Sequence, residues 1–153
     1  MSEQVELVTV TPLLTNADDR GELAELLRED DTDFSRFGQV YAVRSYKAGT
    51  IRGLHSHERL HDWFCVVKGA ARFRFFDADG NEQSVVASER KLVRIFVPAG
   101  VIHGWCALED DTLMISVASE PYCGYGRNGD KDEKRIPHNA FDADNDGWAV
   151  LPR

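Results

Sequence analysis

From residue 39 onward, short segments rich in β-branched and aromatic residues alternate with turn-forming residues. This pattern is typical of antiparallel β-strands, and it lacks the alternation of strands and helices that marks α/β folds. Turn signals such as Lys68-Gly69 and Pro98-Ala99-Gly100 separate the segments. A sandwich or closed barrel is therefore expected. The predicted strands are Gln39–Ser45, Trp63–Val67, Ala71–Phe76, Gln83–Ala87, Leu92–Val97 and Thr112–Val117.

Helical periodicity is convincing only over Gly21–Glu29. Leu23, Leu26 and Leu27 fall on one face of a helix there, and acidic residues cover the rest. The sequence thus predicts one short N-terminal helix ahead of the strands. The glycine- and charge-rich segment Gly124–Lys134 is predicted to be a flexible loop.

The chain of 153 residues has room for one domain with a proper core, so residues 1–153 are predicted to be a single domain. The first fifteen residues lack the basic start and apolar run of a secretory signal. No apolar run approaches the length of a membrane-spanning helix, so no membrane association is expected. Three cysteines without a Cys-x-x-Cys pair fit a reducing, cytoplasmic location.

The net charge of −8 argues against nucleic-acid binding, because neutralising phosphates along a strand requires a basic face. An anionic small molecule needs only a local group of cations in a cleft. The candidate cations for such a cleft are Arg20, Arg44, Arg52, Arg72 and Arg74.

Histidines cluster in two short motifs. The first reads Arg-Gly-Leu-His-Ser-His and contains His55 and His57; the second reads Pro-Ala-Gly-Val-Ile-His and ends at His103. Residues two apart on a strand face the same side, so His55 and His57 project together, and a neighbouring strand could place His103 opposite them. The motifs therefore predict a small-molecule site built on imidazoles.

Taken in order, the two motifs resemble the signatures of the cupin superfamily over residues 49–108. The resemblance implies an all-β fold, a cupin-type jelly-roll β-barrel. It also implies His55, His57, Asp62 and His103 as ligands of a divalent metal, for which Fe, Mn, Ni or Zn would suit. Asp62 stands where the superfamily usually has Glu. The alternative is that these histidines only donate hydrogen bonds inside the barrel.

Most of the chain further resembles the dTDP-4-dehydrorhamnose 3,5-epimerase family of cupins. This resemblance implies a dTDP-4-keto-6-deoxyhexose as substrate, epimerised by proton transfer beside its ketone without a required cofactor, and a homodimer as the assembly. The shared motifs are Asp19-Arg20-Gly21 with Glu25, Ile51-Arg-Gly-Leu-His55, Pro98 to Trp105, and a tail within residues 119–148 that contains Arg135-Ile-Pro-His-Asn139 and leads to Trp148.

The family resemblance assigns roles that agree with ordinary chemistry. A C–H beside a ketone needs a base with a pKa near working pH and a donor at the enolate oxygen, and guanidinium groups suit a diphosphate. His55 corresponds to the base. Tyr122 corresponds to the acid, with Tyr125 as a fallback. The substrate-binding residues implied by the resemblance are Arg20, Glu25, Arg52 and His103.

Two positions depart from the epimerase pattern: Asp62 replaces a Lys, and His57 replaces the usual Gln. The dTDP-sugar 3,4-ketoisomerases are also similar, through Tyr41-Ala-Val43 and Arg-Gly-x-His-x-His, and in them two histidines shuttle the proton. Three hypotheses therefore stay open. The chain is a sugar-nucleotide epimerase or isomerase, a metal-dependent cupin enzyme, or a non-catalytic cupin that binds a sugar nucleotide.

Overall fold

A computed structural model describes residues 5–123 and 131–136. These described residues form twelve β-strands and no α-helix. In chain order the strands are β1 (Thr9–Pro12), β2 (Thr15–Asp18), β3 (Gly21–Ala24), β4 (Gln39–Ser45), β5 (Ile51–His57), β6 (Asp62–Lys68), β7 (Ala70–Phe76), β8 (Glu82–Ser88), β9 (Val93–Val97), β10 (Ile102–Ala107), β11 (Thr112–Ala118) and β12 (Glu133–Arg135).

Two five-stranded antiparallel sheets make up the barrel. The first sheet has the order β1-β9-β6-β11-β4, and the second has the order β12-β5-β10-β7-β8. Most neighbours in both sheets are distant in sequence, as the crossing connections of a jelly roll require. The predicted all-β, cupin-type jelly roll is confirmed.

The hydrophobic core lies between the two sheets. Ile95 and Met114 of the first sheet pack in one buried cluster with Phe73 and Phe75 of the second. Strands β6 and β7 are buried along most of their length; β6 is a continuous apolar run from Trp63 to Val67, whereas β7 alternates Arg72 and Arg74 with phenylalanines. Burying each large apolar side chain contributes about 2–3 kcal/mol to folding, and this packing makes the barrel a firm support for the side chains inside it.

The predicted helix over Gly21–Glu29 is wrong. Its first residues form β3, which pairs with β2 in a hairpin, and turns follow. Arg94 on β9 explains the difference, because its buried guanidinium, 5% exposed, donates to the Leu26 carbonyl and to the carboxylates of Asp31 and Asp33. These tertiary contacts hold the segment in an irregular path and outweigh its local helical propensity.

The β2–β3 hairpin stands apart from both sheets, since it pairs with no other described strand. Leu14, just before it, is 79% exposed, and Leu23 on β3 is 61% exposed. A two-stranded hairpin of this kind is marginally stable without something packed against it.

Strand β12 corrects the loop predicted over Gly124–Lys134. Glu133 and Lys134 belong to this strand, which extends the edge of the second sheet by pairing with β5. Residues 124–130 of that segment lie outside the described residues. No helix in the described part of the chain is long and apolar enough to cross a membrane.

Candidate active site

Three histidines meet inside the barrel, as the motifs predict. His55 on β5 lies directly across from His103 on β10, and His57 follows two residues later on β5. One ring nitrogen from each of the three lies within 4.8 Å of the others. The rings of His55 and His103 meet edge to face, with centroids 4.6 Å apart.

Gly53 and Gly104 allow β5 and β10 to approach closely at this point. The φ angle of Gly53 is +95°, and a Cβ added there would lie 2.6 Å from both the Gly104 Cα and the His103 carbonyl oxygen. The pairing register also shifts between His103 and Gly104. Only glycine adopts this backbone conformation easily and also fits the small space between the strands. This explains the glycine of the Arg-Gly-Leu-His motif.

Asp62 reaches the histidines from β6 in the opposite sheet. Its Oδ2 lies 3.7 Å from His103 Nε2 and 3.9 Å from His57 Nε2. The Ser116 hydroxyl donates to its Oδ1 at 3.5 Å. Burial raises the pKa of Asp62 to about 7. Of the four predicted metal ligands, the structure thus groups the three histidines tightly and places Asp62 beside two of them.

Burial also keeps two of the imidazoles neutral. It lowers the pKa of His55 to about 4, helped by the neighbouring His57 and opposed by Glu133. Burial, followed by the nearby His55, lowers the pKa of His103 well below its usual value. A neutral imidazole keeps a lone pair, so it can accept a proton or bind a metal.

Two carboxylates stand behind the histidines, at and just before β12. Asp132 Oδ2 lies 3.0 Å from His57 Nδ1, and both side chains are buried. Glu133 Oε1 lies 3.6 Å from His55 Nδ1. Sequence reasoning missed both, because they lie in a charged segment without apolar alternation. The only signal nearby is the tail motif that begins at Arg135.

A cavity of about 500 Å³ opens inside the barrel. Arg52 and Arg135 are the cations in its lining, and Phe64, Met114 and Trp105 supply apolar wall. An adjoining cavity of about 390 Å³ extends from His55 towards the other predicted ligands on β5 and β6. Volumes of this size suit a small organic ligand. The two cavities share Tyr41, His55 and Glu133 as lining residues.

The predicted substrate-binding residues divide into two groups. Arg52 and His103 line the 500 Å³ cavity, whereas Arg20 and Glu25 line neither of the two cavities in the barrel. The Arg20 side chain is 85% exposed beside the β2–β3 turn and pairs with Asp18. Within one chain, the structure therefore does not bring the two groups together.

The tyrosines differ from the expectation in their placement. Tyr122, the predicted acid, lines the adjoining cavity but not the 500 Å³ cavity, and its hydroxyl donates to Glu133 Oε2 at 2.8 Å. The fallback, Tyr125, lies outside the described residues. Tyr41 on β4 lines both cavities, and burial raises its pKa, so its hydroxyl stays protonated. Tyr41 was not among the predicted site residues, although it lies in the Tyr-Ala-Val segment shared with the ketoisomerases.

Comparisons with known proteins show the family to which the chain belongs. A family model described as the polysaccharide biosynthesis C-terminal domain matches residues 16–123. The chain is 31% identical over 140 residues to the spore coat polysaccharide biosynthesis protein SpsL of Bacillus subtilis, across 87% of this chain and 89% of SpsL. It is 30% identical over 146 residues to the probable low-salt glycan biosynthesis epimerase Agl13 of Haloferax volcanii, across 86% of this chain and 87% of Agl13.

Among solved structures, a dTDP sugar isomerase from Desulfovibrio desulfuricans G20 superimposes with a TM-score of 0.77 at 21% identity, across 90% of this chain and 88% of that chain. The predicted resemblance to sugar-nucleotide epimerases and isomerases is thereby confirmed. Since the family model covers most of the chain and both relatives align over most of their length, the chain belongs to the polysaccharide biosynthesis C-terminal domain family, is similar in sequence to an epimerase and has a cupin fold.

Proposed function

We propose that the chain is an enzyme that acts on a dTDP-4-keto-6-deoxyhexose by moving a proton at a carbon beside the ketone. The observation that carries this proposal is a neutral His55 in a cavity lined by two arginines, in a chain whose net charge is −8. A base and a local group of cations in one cavity suit a substrate that combines an acidic C–H with phosphates.

Arg52 and Arg135 are the groups that would hold the diphosphate. The Arg52 guanidinium is oriented by the Ser45 hydroxyl at 3.4 Å and by the Arg44 carbonyl at 3.3 Å. With both contacts made, the planar guanidinium lies along the cavity wall. A guanidinium offers paired N–H donors at the spacing of phosphate oxygens, so it would anchor the nucleotide while the sugar reaches the histidines.

His55 is the base in this proposal. Its pKa of about 4 lies below the value near working pH expected of such a base, so the ring is unprotonated before the substrate binds but is a weaker base than an ordinary imidazole. Once it has taken the proton, Glu133 at 3.6 Å from Nδ1 stabilises the imidazolium electrostatically. The negative charge that develops on the ketone oxygen needs a hydrogen-bond donor aimed at it.

We assign that donor role to Tyr41. It projects from β4 of the first sheet, whereas His55 projects from β5 of the second, so the two side chains face the cavity from different sheets. Its raised pKa keeps the hydroxyl protonated, so it can donate a hydrogen bond to that oxygen. The Tyr122 hydroxyl is already donated to Glu133, so Tyr122 acts on the site through that carboxylate.

Solvent exchange tests this function. In deuterated water, the protein should introduce deuterium at C3 or C5 of the sugar, and His55→Asn should slow this by about 10²- to 10⁴-fold because the base is lost. The measurement is proton NMR of the substrate. Tyr41→Phe should reduce turnover more than the matched Tyr122→Phe, and the reverse order would return the donor role to Tyr122. Nucleotide binding without exchange would leave a non-catalytic binding protein.

A divalent metal is the second candidate, favoured by the three clustered imidazoles. His103 Nδ1 bonds the Val101 carbonyl oxygen at 2.9 Å, so this nitrogen carries the proton and Nε2 faces the cavity with its lone pair. That buried Nε2 has no hydrogen-bond partner among the described residues. The donor set fits a first-row metal held by His55, His57 and His103 with Asp62 beside them.

Such an ion would act as a Lewis acid that polarises the ketone. Elemental analysis of protein purified without a tag decides between the two candidates. A content near one ion per chain, with exchange lost on chelation, supports the metal. A content far below that, even after loading, removes it and leaves proton transfer by His55 alone.

We further propose a homodimer in which the β2–β3 hairpin packs on a second copy and delivers Arg20 to the partner's cavity. The exposed Leu14 and Leu23 and the exposed Arg20 support this arrangement. Sedimentation should give the mass of two chains, and Leu23→Asp should shift it towards one. Arg20→Ala should weaken dTDP binding without changing the mass. A wild-type mass of one chain would contradict the dimer.

A further inference from the structure

The outward face of the second sheet carries a buried apolar cluster of its own. Phe75 and Trp105 belong to the core between the sheets, and successive residues of a strand point to opposite faces. The residues that follow them, Phe76 on β7 and Cys106 on β10, therefore point outward. They form a separate cluster with Leu54 of β5, which we call the outward cluster. All three of its residues are at most 5% exposed, which is the burial expected of a protein interior.

Arg74 is also buried on this face, although it is charged. Its guanidinium pairs with Glu82 at 2.6 Å and lies 5.1 Å from the centre of the Phe76 ring. Arg72, two residues earlier on β7, shares the face and donates to Ser84 Oγ at 3.1 Å. An arginine on the outer side of a sheet is ordinarily in water, yet Arg74 is only 6% exposed. Its burial indicates that another part of the protein covers the face.

The described strands do not supply this cover. The first sheet lies against the opposite face of the second sheet, and no other described strand packs on the outward one. Ile136, which directly follows β12, donates its backbone N–H to the Leu54 carbonyl at 2.9 Å, and its side chain packs against the outward cluster. The chain therefore reaches this face at its β12 edge, with residues 137–153 still to follow.

The seventeen residues that follow have the length and the composition to cover the face. Extended, they span up to about 55 Å, whereas five strands side by side are about 20 Å across. Two aromatic residues, Phe141 and Trp148, suit an apolar cluster. Three acidic residues between them suit a face that carries two arginines, and they are Asp142, Asp144 and Asp146.

We propose that residues 137–153 lie across the outward face of the second sheet as a cover supplied by the same chain. The aromatic side chains of this segment contact the outward cluster, and its carboxylates lie near Arg72 and Arg74. The cover also fastens β12 to β5, because the segment continues directly from β12. This inference is independent of the proposed function. The other occupant that would bury such a face is a second copy of the chain.

Cys106 makes the cover measurable, because a thiol reacts with N-ethylmaleimide only where the reagent reaches it. In the full chain with Cys123→Ser, the remaining thiols are Cys106 in the outward cluster and Cys65 on β6 of the first sheet, both buried. Phe141→Ala combined with Trp148→Ala should speed the labelling of Cys106 by about tenfold or more, because local opening becomes easier. The labelling of Cys65 should not change. Peptide mass spectrometry measures the two cysteines separately.

Phe37→Ala is the matched control for the loss of an aromatic side chain. Phe37 is exposed and lies just before β4 of the first sheet, so its replacement should leave the labelling of Cys106 as in the wild type. A second variant tests the charges alone and keeps the aromatic contacts. It should speed the labelling of Cys106 by about threefold at low ionic strength, and it combines Asp142→Asn, Asp144→Asn and Asp146→Asn.

Protein concentration separates the two occupants of the face. The labelling rate of wild-type Cys106 should not depend on concentration, because the cover belongs to the same chain. Slower labelling at higher concentration would overturn the inference in favour of a second copy. Unchanged labelling of Cys106 in the double alanine variant would also overturn it. Equal increases at Cys106 and Cys65 would count against it too, since they would report loss of the whole fold.

Discussion

Asp62 and His55 face the same interior with opposite shifts in pKa. Burial raises the pKa of Asp62 to about 7 and lowers that of His55 to about 4, because both groups avoid being charged away from water. The epimerase family has a lysine at position 62, and a cation there would have to be balanced among three imidazoles. A carboxyl that stays neutral avoids this cost, which gives the replacement a physical basis.

These shifts act on stability in opposite directions. Folded Asp62 keeps a proton that the unfolded chain loses above its ordinary pKa of 3.8, so its effect lowers stability as pH rises from about 4 to about 7. His55 in the unfolded chain is protonated below its ordinary pKa of 6.5, whereas His55 in the folded protein stays neutral down to about pH 4. Its shifted pKa therefore lowers the stability of the fold as the pH falls through that range.

Replacing the buried Asp62 should therefore increase the free energy of unfolding by an amount that depends on pH. Asp62→Asn should be more stable than the wild type by roughly 4 kcal/mol near pH 8, and the difference should vanish below about pH 3, where the wild-type carboxyl is protonated in both states. Urea denaturation at a series of pH values measures this. Asp79→Asn, in an exposed turn, is the control and should show no such trend; a pH-independent difference at position 62 would contradict the burial argument.

At the scale of elements, the approach of β5 to β10 sets the geometry of the site. Gly53→Ala should lower the free energy of unfolding by about 2–4 kcal/mol, because the added methyl would meet the backbone of His103 and Gly104. It should also abolish exchange, since the two strands carry the histidines. Chemical denaturation and the exchange assay measure the two effects.

Gly80→Ala supplies the matched comparison for that variant. Gly80 also has a positive φ, +83°, but nothing lies within 4 Å of a Cβ added there. Its replacement should cost only about 1 kcal/mol, the price of the backbone conformation alone. Equal losses at both positions would show that the contact between β5 and β10 is looser than described.

Strand prediction succeeded where side chains themselves favour strands. The six predicted segments correspond to β4, β6, β7, β8, β9 and β11, each within one residue at either end. The predicted segments did not include β1, β2, β3, β5, β10 or β12, and β3 lies where a helix was predicted. β12, Glu-Lys-Arg, has no apolar residue at all, and it is a strand because β5 offers it a free edge. Such strands form because they pair with segments that are distant in the sequence, and the local sequence does not show this pairing.

At the scale of the whole molecule, the site could be predicted only where its residues lie close together in the sequence or in a recognised motif. The spacing of His55 and His57 on one strand predicted their common direction, and the second motif supplied His103. Asp62 comes from the other sheet, so its distance from the rings depended on how the sheets pack. Asp132 and Tyr41 could not be assigned from the sequence, because their proximity to the histidines follows from the barrel closing around them.

The position of β12 near the end of the described chain also determines when, during synthesis, the site can be completed. Asp132 meets His57 across 75 residues of sequence, and β12 is the last described strand. During synthesis, the strands that enclose the cavity emerge first, and β5 stays an open edge until β12 docks. A chain interrupted before residue 131 would still contain every strand of both sheets except β12, yet His55 and His57 would lack their carboxylate partners. The barrel can thus fold before its site is complete, because the two histidines gain their carboxylate partners only when Asp132 and Glu133 reach the edge of the second sheet.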